Sequence, residues 1–232
     1  MKSIKKTARV TGFLYLLLIP LGVFGMLYIP ATLLVPGDVA LTISNIMAND
    51  LLFRLSIVSA LLTQVVQIFV VLFLYKILKP VNKNIAVLMV VFILVAVPIA
   101  MFNEINQFAV LLLLSGTNIM TIFTTDTLQA IVSLFLDMHE HGIFIAQIFW
   151  GLWLFPMGYL VVKSNYIPKI IGILLIVACF GYLIDSFIFF FNPNFGITFS
   201  EFTFLGELLI TMWLLFKGVD VEQWEKRALA SA

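Results

Sequence analysis

The chain has 232 residues, of which 62% are hydrophobic and 11% are charged. Soluble domains contain about 45–50% apolar and about 25% charged residues, so this composition excludes a soluble protein and predicts one that lies in a membrane. Its 13 basic and 12 acidic residues nearly cancel, which favours neither nucleic acid nor an anionic surface as a partner. The single cysteine and two histidines exclude an intrachain disulfide and a metal site built only from thiolates or imidazoles.

Six apolar runs are long enough to cross the ~30 Å hydrocarbon core of a bilayer, which takes about 20 helical residues. They predict an all-α polytopic protein with one integral membrane domain over residues 1–232. The first run follows a basic start, but it exceeds the roughly 7–15 residues of a signal-peptide core and lacks a cleavage motif, so we expect it to remain as a span. The predicted spans cover about 10–35, 51–75, 85–114, 139–162, 168–191 and 199–217.

Basic residues alternate between successive connections. Twelve of the thirteen lie at the N-terminus, in the turns 76–84 and 163–169, or in the C-terminal tail. Because cytoplasmic loops carry an excess of Lys and Arg, both termini and these turns are predicted in the cytoplasm, with the protein in a bacterial inner membrane. An even number of spans also requires both termini on one side. Arg54 is the remaining cation and is predicted on the outer half.

Two amphipathic helices are predicted on the outer surface. The first begins after Asp38, an N-cap residue that follows the turn-forming pair Pro36 and Gly37, and its apolar positions share one face. The second follows Asp126, where apolar residues recur with helical spacing and lead into the fourth span. The external link over 192–196 is predicted to be a plain turn.

Five short segments occur in a characteristic order and spacing. They are residues 35–38 (VPGD), 52–55 (LFRL), 78–83 (LKPVNK), 181–186 (GYLIDS) and 206–207 (GE). Together they resemble a bacterial family of small integral membrane proteins known as domain of unknown function forty-three eighty-six. The resemblance extends from about residue 8 to residue 219 and implies a six-helix membrane protein of bacterial type, without a reaction or a ligand.

Ionisable side chains inside the spans are the main functional signal. Such groups are costly in a membrane and face a bundle interior or water. At 1.5 Å per residue, five spans place a charge in one outer layer, and residues 103–107 form a wide polar arc on the third span. We therefore predict a polar, net acidic pocket that opens outward. Its candidate residues are Arg54, Glu104, Gln107, His139, Glu140, His141, Asp185 and Glu207.

Structural roles compete with that interpretation for some polar residues. Arg54 lies near a helix N-terminus, where the helix dipole opposes it, so we expect an ion bridge from Arg54 to one of three carboxylates. These are Glu104, Asp185 and Glu207. The stripe of Ser56, Ser59, Thr63 and Gln67 on the second span is typical of hydrogen bonds between helices rather than of a substrate path.

The segment from Asp137 to His141 could ligate a divalent metal together with a carboxylate of another span. However, His139 and His141 are two residues apart, which points them about 200° apart on a helix, and no HEXXH spacing occurs. No metal or other cofactor is therefore assigned. A histidine near the membrane surface is more typically a hydrogen-bonded or pH-sensitive residue.

Our leading hypothesis is a non-enzymatic membrane protein that binds, senses or transports a small polar or cationic solute through the acidic pocket. One alternative is an intramembrane hydrolase or transferase acting on lipid, with His139 or His141 as a base or a metal ligand. Another is an accessory protein whose polar cluster is only an ion-paired core. The expected partners are the lipid bilayer and such a solute, not nucleic acid, and the oligomeric state stays open.

Overall fold

A computed structural model describes residues 2–115, 123–193 and 195–230. Within these ranges the protein is all-α, and six helical segments are long and apolar enough to cross a membrane, as predicted. The six segments are Ile4–Leu33, Asp50–Leu78, Lys83–Leu114, Thr125–Ser164, Lys169–Phe191 and Phe199–Phe216.

The helices follow one another with short connections. They are α1 (Lys2–Gly22), α2 (Ile29–Leu33), α3 (Val39–Ala48), α4 (Asp50–Leu78), α5 (Lys83–Leu114), α6 (Thr125–Leu152), α7 (Leu154–Ser164), α8 (Lys169–Phe191), α9 (Phe199–Thr203), α10 (Leu205–Phe216) and α11 (Val221–Ala230). A π-helix, Val23–Tyr28, joins α1 to α2 inside the first span.

Prolines explain two interruptions of these spans. Pro20 and Pro30 flank the π-helix, and because proline lacks an N–H group and crowds the preceding turn, the regular α-helical hydrogen bonding changes there. In the fourth span, Pro156 follows the break between α6 and α7 and cannot donate to the carbonyl of Leu152. By contrast, Pro98 lies inside an uninterrupted α5.

The two predicted amphipathic segments form helices in different ways. Asp38 caps α3 by accepting a hydrogen bond from the Leu41 N–H at 2.9 Å, which confirms the predicted cap. The helix that follows Asp126 is not separate, because α6 begins at Thr125 and continues into the fourth span. Their location on the outer membrane surface stays a prediction.

Two observations on described residues support the turn predicted after α8. The Phe195 N–H donates to the Asn192 carbonyl at 3.1 Å, and Gly196 takes a φ of 74°, which favours glycine. Asn194 lies outside the described residues.

The C-terminal tail contains α11, which the sequence analysis did not predict. Asp220 caps this helix by accepting from the Gln223 N–H at 3.1 Å. The Trp224 indole N–H and the Tyr166 hydroxyl donate to the same carbonyl, that of Ile77, at 2.9 and 2.8 Å. Burial raises the pKa of Tyr166 above its ordinary range, so its hydroxyl stays a neutral donor. The tail is therefore a docked helix rather than a basic loop.

The chain divides into two compact units. The first comprises Met1–Leu17, Val66–Val97 and Phe144–Ala232, and the second comprises Leu18–Val65 and Pro98–Ile143. The predicted single domain over 1–232 stays a prediction.

Small residues bring helices close together in the first unit. A Cβ atom on Gly158 of α7 would lie 2.5 Å from the Gly172 carbonyl oxygen of α8, and the converse distance is 2.6 Å. On α8, Gly181 packs directly against the Thr203 side chain. Because only hydrogen fits at these positions, the backbones can approach more closely than larger residues allow. On the same helix, Ala178, Gly181 and Asp185 are all buried.

In the second unit, apolar side chains of α2, α3, α4, α5 and α6 form one core. Ile46 of α3 and Val132 of α6 are both at most 1% exposed. This core supports the polar residues of α4, α5 and α6 described next. Its most buried members are Ile29, Leu33, Ile46, Ile57, Val110 and Val132.

Candidate functional site

A group of buried polar side chains lies in the second unit. We call it the Glu104 cluster, and its members are Ser56 of α4, Asn103, Glu104 and Gln107 of α5, and His139 of α6. Glu104 and Gln107 are three residues apart, so they share one face of α5. Three of the eight candidate residues, Glu104, Gln107 and His139, are therefore brought together.

His139 lies at the centre of this cluster. Its Nε2 atom lies 3.1 Å from Oε1 of Glu104 and 2.9 Å from Nε2 of Gln107. The Ser56 hydroxyl lies 3.3 Å from Oε1 of Gln107 and donates to the Phe53 carbonyl at 2.7 Å. The cluster thus joins three helices through one imidazole and one amide.

Asn103 fixes the backbone that carries His139. Its amide Nδ2 donates to the His139 carbonyl oxygen at 2.8 Å. Gly142 lies on α6, one helical turn after Met138. A Cβ atom on Gly142 would overlap the Asn103 side chain. Glycine at this position therefore gives Asn103 the room to reach α6. Asn103 was part of the predicted polar arc, but no sequence pattern singled out Gly142.

Glu104 has an unusual environment for a carboxylate. Its side chain is 4% exposed, and its Oε2 atom has no hydrogen-bond partner in the described part of the chain. Buried polar atoms are nearly always hydrogen-bonded, because an unsatisfied one costs about 1–3 kcal/mol and more when charged. The His139 side chain is 18% exposed, so the imidazole is the more accessible member of this pair.

The structure corrects the predicted partner of Arg54. Its Nε atom donates to Asp50 at 2.7 Å, one turn away on α4, and both side chains are about half exposed. Glu104, one of the three expected partners, instead contacts His139. The prediction considered only other spans, whereas an i, i+4 pair on one helix needs no tertiary contact. Asp50 also places a negative charge at the helix N-terminus, which offsets the unfavourable dipole.

Glu140 and His141 lie outside the Glu104 cluster. Both are exposed on α6, and Nδ1 of His141 lies 2.7 Å from the Asp137 carbonyl oxygen. The two histidines therefore differ in burial, as their spacing of two residues suggested. Among the described residues, no group of three or more His, Cys, Asp or Glu side chains could hold a metal ion.

Asp185 and Glu207 belong to the first unit, where hydrogen bonds reach all four of their carboxylate oxygens. Asp185 accepts the backbone N–H groups of Phe199 and Ser200 at 2.6 and 2.8 Å, which caps the start of α9. Glu207 accepts the hydroxyls of Tyr182 at 2.9 Å and Tyr15 at 2.8 Å. These two carboxylates therefore link helices. The tyrosines were missed because they are far from Glu207 in sequence.

The interhelical hydrogen bonds predicted for the polar stripe on α4 form at Ser56 and Ser59 but not at Thr63. Ser59 donates to the Leu21 carbonyl oxygen of α1 at 2.9 Å, whereas Thr63 donates to the Ser59 carbonyl of its own helix at 2.8 Å. Ser56 differs from these residues because it is part of the Glu104 cluster.

A cavity of about 460 Å³ opens elsewhere in the second unit, between α3 and the start of α6. Its lining is mostly apolar and contains none of the eight candidate residues. Volume alone therefore does not locate the polar site.

Comparisons with known proteins give a family but no activity. A family model described as Domain of unknown function (DUF4386) matches residues 10–218. An Archaeoglobus fulgidus protein, described as an uncharacterized protein, is 34% identical over 163 residues, or 70% of this chain and 83% of the relative. No solved structure matches. Since this relative is archaeal, the bacterial origin implied by the five segments stays a prediction.

Proposed function

Because the chain belongs to the family described as Domain of unknown function (DUF4386), as its five segments predicted, we propose a function from its own side chains. The protein binds a small cationic or polar solute at the Glu104 cluster, for transport or sensing across a cell membrane. The observation that carries this proposal is the buried Oε2 atom of Glu104, which no donor of the described residues reaches. A ligand N–H or O–H group would supply the missing hydrogen bond.

The charges of the second unit favour a cation over an anion. It contains six carboxylates and a single basic residue, Arg54, which Asp50 already engages. A region with such an excess of one sign attracts ligands of the opposite sign. The six carboxylates are Asp38, Asp50, Glu104, Asp126, Asp137 and Glu140.

The side chains of the Glu104 cluster favour an amine rather than a bare metal ion. Gln107 and His139 offer one amide and one imidazole beside a single carboxylate. Divalent ions in proteins usually take more oxygen ligands than these. A small ammonium ion needs only a few acceptors and can donate directly to a carboxylate.

We propose that the protein lies in the inner membrane of a cell, with both termini in the cytoplasm. The distribution of basic residues supports it. The Lys83 end of α5 is then cytoplasmic and the Leu114 end external, and Glu104 lies nearer the external end. The solute would therefore enter from outside, past His139.

Two alternatives receive less support from the same contacts. A lipid hydrolase using His139 as a base would need a nucleophile beside it, but the Ser56 hydroxyl contacts Phe53 and Gln107. In a purely structural core, every carboxylate oxygen would accept a hydrogen bond. Glu207 fits that description, whereas Glu104 has the free oxygen just described.

Methylammonium binding tests the proposed function. The purified protein in nanodiscs is titrated with methylammonium chloride, with sodium chloride at equal ionic strength as the reference, and its thermal unfolding is followed. Binding should stabilise the wild type by about 1.4 kcal/mol at ten times the dissociation constant.

Variants assign that effect to the site. Glu104→Gln should abolish the stabilisation, because an amide offers one acceptor fewer and no charge. The matched control Glu140→Gln, at an exposed carboxylate of α6, should leave it unchanged. Equal stabilisation of the Glu104→Gln variant, or none in the wild type, would refute the proposal.

A further inference from the structure

We infer that one end of the first unit binds the headgroup of an anionic phospholipid, through a group of basic side chains that α11 completes. We call this group the basic surface. Its members are Lys76, Lys79, Lys163 and Arg227. The inference stands apart from the proposed function, because the basic surface belongs to the first unit and the Glu104 cluster to the second.

The near-zero net charge of the chain hides an uneven distribution. The first unit contains twelve of the thirteen basic residues but only six of the twelve acidic ones. Two of those six, Asp185 and Glu207, already accept hydrogen bonds from neighbouring helices. The first unit is therefore net basic, and a surface with an excess of one sign attracts ligands of the opposite sign.

Contacts of α11 bring the basic surface together. The indole N–H of Trp224 on α11 and the hydroxyl of Tyr166, which follows α7, both donate to the Ile77 carbonyl near the end of α4. The guanidinium group of Arg227 donates to the Lys163 carbonyl at 3.4 Å. The ends of α4 and α7 therefore meet at α11, and each of these three helices contributes a cation to the basic surface.

The cations of the basic surface are available to a ligand. Among the described residues, none of the four forms an ion pair, and the three lysines are exposed. Two nearby carboxylates are already engaged, because Glu222 pairs with Lys226 at 2.7 Å and Asp220 caps α11. The four cations thus outnumber Glu225, the remaining carboxylate of this helix. Ammonium and guanidinium groups form strong charge-assisted hydrogen bonds with phosphate, which makes phosphate a suitable ligand.

The positions of the lysines along their helices favour a lipid over a soluble anion. On α4, Phe69 and Leu72 are 50% and 41% exposed, and Lys76 continues the same helix face one turn beyond them. The same order of exposed residues occurs on α7. There the residues are Phe155, Tyr159 and Lys163. Because exposed apolar faces of membrane spans contact acyl chains, a cation one turn further along lies at the depth of the lipid phosphates.

A phospholipid matches both features of this end. Its acyl chains fit along the apolar faces, and its phosphate reaches the cations that end them. Trp224 adds an amphipathic ring of the kind that is enriched at headgroup depth, and basic pockets between membrane helices bind anionic headgroups. A soluble polyanion would satisfy the cations but leave the apolar faces unused.

A titration with phosphatidylglycerol tests the inference. The purified protein in neutral detergent micelles receives increasing dioleoylphosphatidylglycerol, with dioleoylphosphatidylcholine as the reference lipid, and its thermal unfolding is followed. The anionic lipid should raise the unfolding temperature in a saturable way, whereas the zwitterionic lipid should not. Equal stabilisation by glycerol phosphate, the headgroup without acyl chains, would assign the basic surface to a soluble anion and overturn the inference.

Paired variants locate the bound lipid. Lys76→Gln combined with Lys163→Gln should weaken the apparent affinity for phosphatidylglycerol about twentyfold, since each cation near an anionic lipid contributes about fivefold. Arg227→Gln alone should weaken the affinity about fivefold. The matched control combines Lys6→Gln with Lys217→Gln, which removes two exposed cations of the same unit outside the basic surface. Its affinity should stay close to that of the wild type.

The outcomes separate the basic surface from a general attraction of charge. Equal losses of affinity for the two double variants would show that the lipid responds only to net charge, and would overturn the inference. Wild-type affinity of Arg227→Gln would also overturn it, because α11 would then have no part in binding. Methylammonium binding at the Glu104 cluster should be the same in all these variants, so this inference and the proposed function fail separately.

Discussion

At the scale of single residues, two buried acids show contrasting environments. Both oxygens of Glu207 accept tyrosine hydroxyls, from Tyr15 and Tyr182. Glu104 has one contact, to His139, and one oxygen that no described donor reaches. Removing a hydrogen-bond donor to Glu207 should therefore lower the stability of the protein, whereas a ligand bound at Glu104 should raise it. The following two predictions concern individual side chains.

Tyr182→Phe should destabilise the protein by about 1.5–3 kcal/mol, because it leaves one oxygen of Glu207 without its donor. The free energy of unfolding in mixed detergent micelles measures this change. Tyr28→Phe is the control, since Tyr28 is 54% exposed. Equal losses for the two variants would contradict the role given to the Tyr182 hydroxyl.

Arg54→Ala should leave stability within the measurement error of the wild type, because its pair with Asp50 is exposed and on one helix. A buried ion bridge to another span, which the sequence alone predicted, would instead give a clear loss of stability. Thermal unfolding of Arg54→Ala and Asp50→Asn in nanodiscs distinguishes the two views. A large loss of stability for Arg54→Ala but not for Asp50→Asn would indicate that Arg54 pairs with another carboxylate.

At the scale of helices, close approach depends on glycines whose importance is visible only in three dimensions. A Cβ atom on Gly158 of α7 or on Gly172 of α8 would overlap the carbonyl oxygen of the other, and Gly142 of α6 makes room for Asn103. The apolar runs and the Asp38 cap could be predicted because they depend on neighbouring residues. The contacts of Gly142 and of Tyr15 could not, because they depend on which helix faces which.

Gly158→Ala should destabilise the first unit by about 1–3 kcal/mol, because a methyl group at 2.5 Å from the Gly172 carbonyl oxygen forces α7 and α8 apart. Gly22→Ala is a matched control, since a Cβ placed there has no described neighbour within 4 Å apart from the adjoining residues and backbone of its own helix. That control should be neutral or slightly stabilising, as alanine favours a helix more than glycine. Unfolding in denaturant measures both variants, and equal effects would refute the packing argument.

Gly142→Ala and Asn103→Ala should not be additive. The methyl group of the first variant displaces the Asn103 side chain from the His139 carbonyl oxygen, so the amide contact is already lost. The loss in the free energy of unfolding should be smaller for the double variant than the sum of the losses for the two single variants, by about 0.5–3 kcal/mol. Unfolding free energies of all four proteins provide the test. Additive losses would show that Gly142 and Asn103 act independently.

At the scale of the whole molecule, six spans and an alternating charge pattern predict the topology. Reporter fusions after Lys83 and Lys169 should be cytoplasmic, and fusions after Ser115 and Asn192 should be external. A single fusion on the wrong side would refute the six-span arrangement. The spans were predictable because each is a continuous apolar run. The helix after Asp220 was not, since it is held by contacts with the distant carbonyl oxygens of Ile77 and Tyr166.

The π-helix Val23–Tyr28 has a consequence for the evolution of the first span. A π-helical bulge accommodates one residue more than the α-helix around it. Loss of one residue within it can therefore be absorbed by a return to α-helix, with Leu21 and Ile29 still on their original faces. Loss of one residue elsewhere would rotate one end of the span by about 100°. Single-residue gaps between related sequences should therefore gather at positions 23–28.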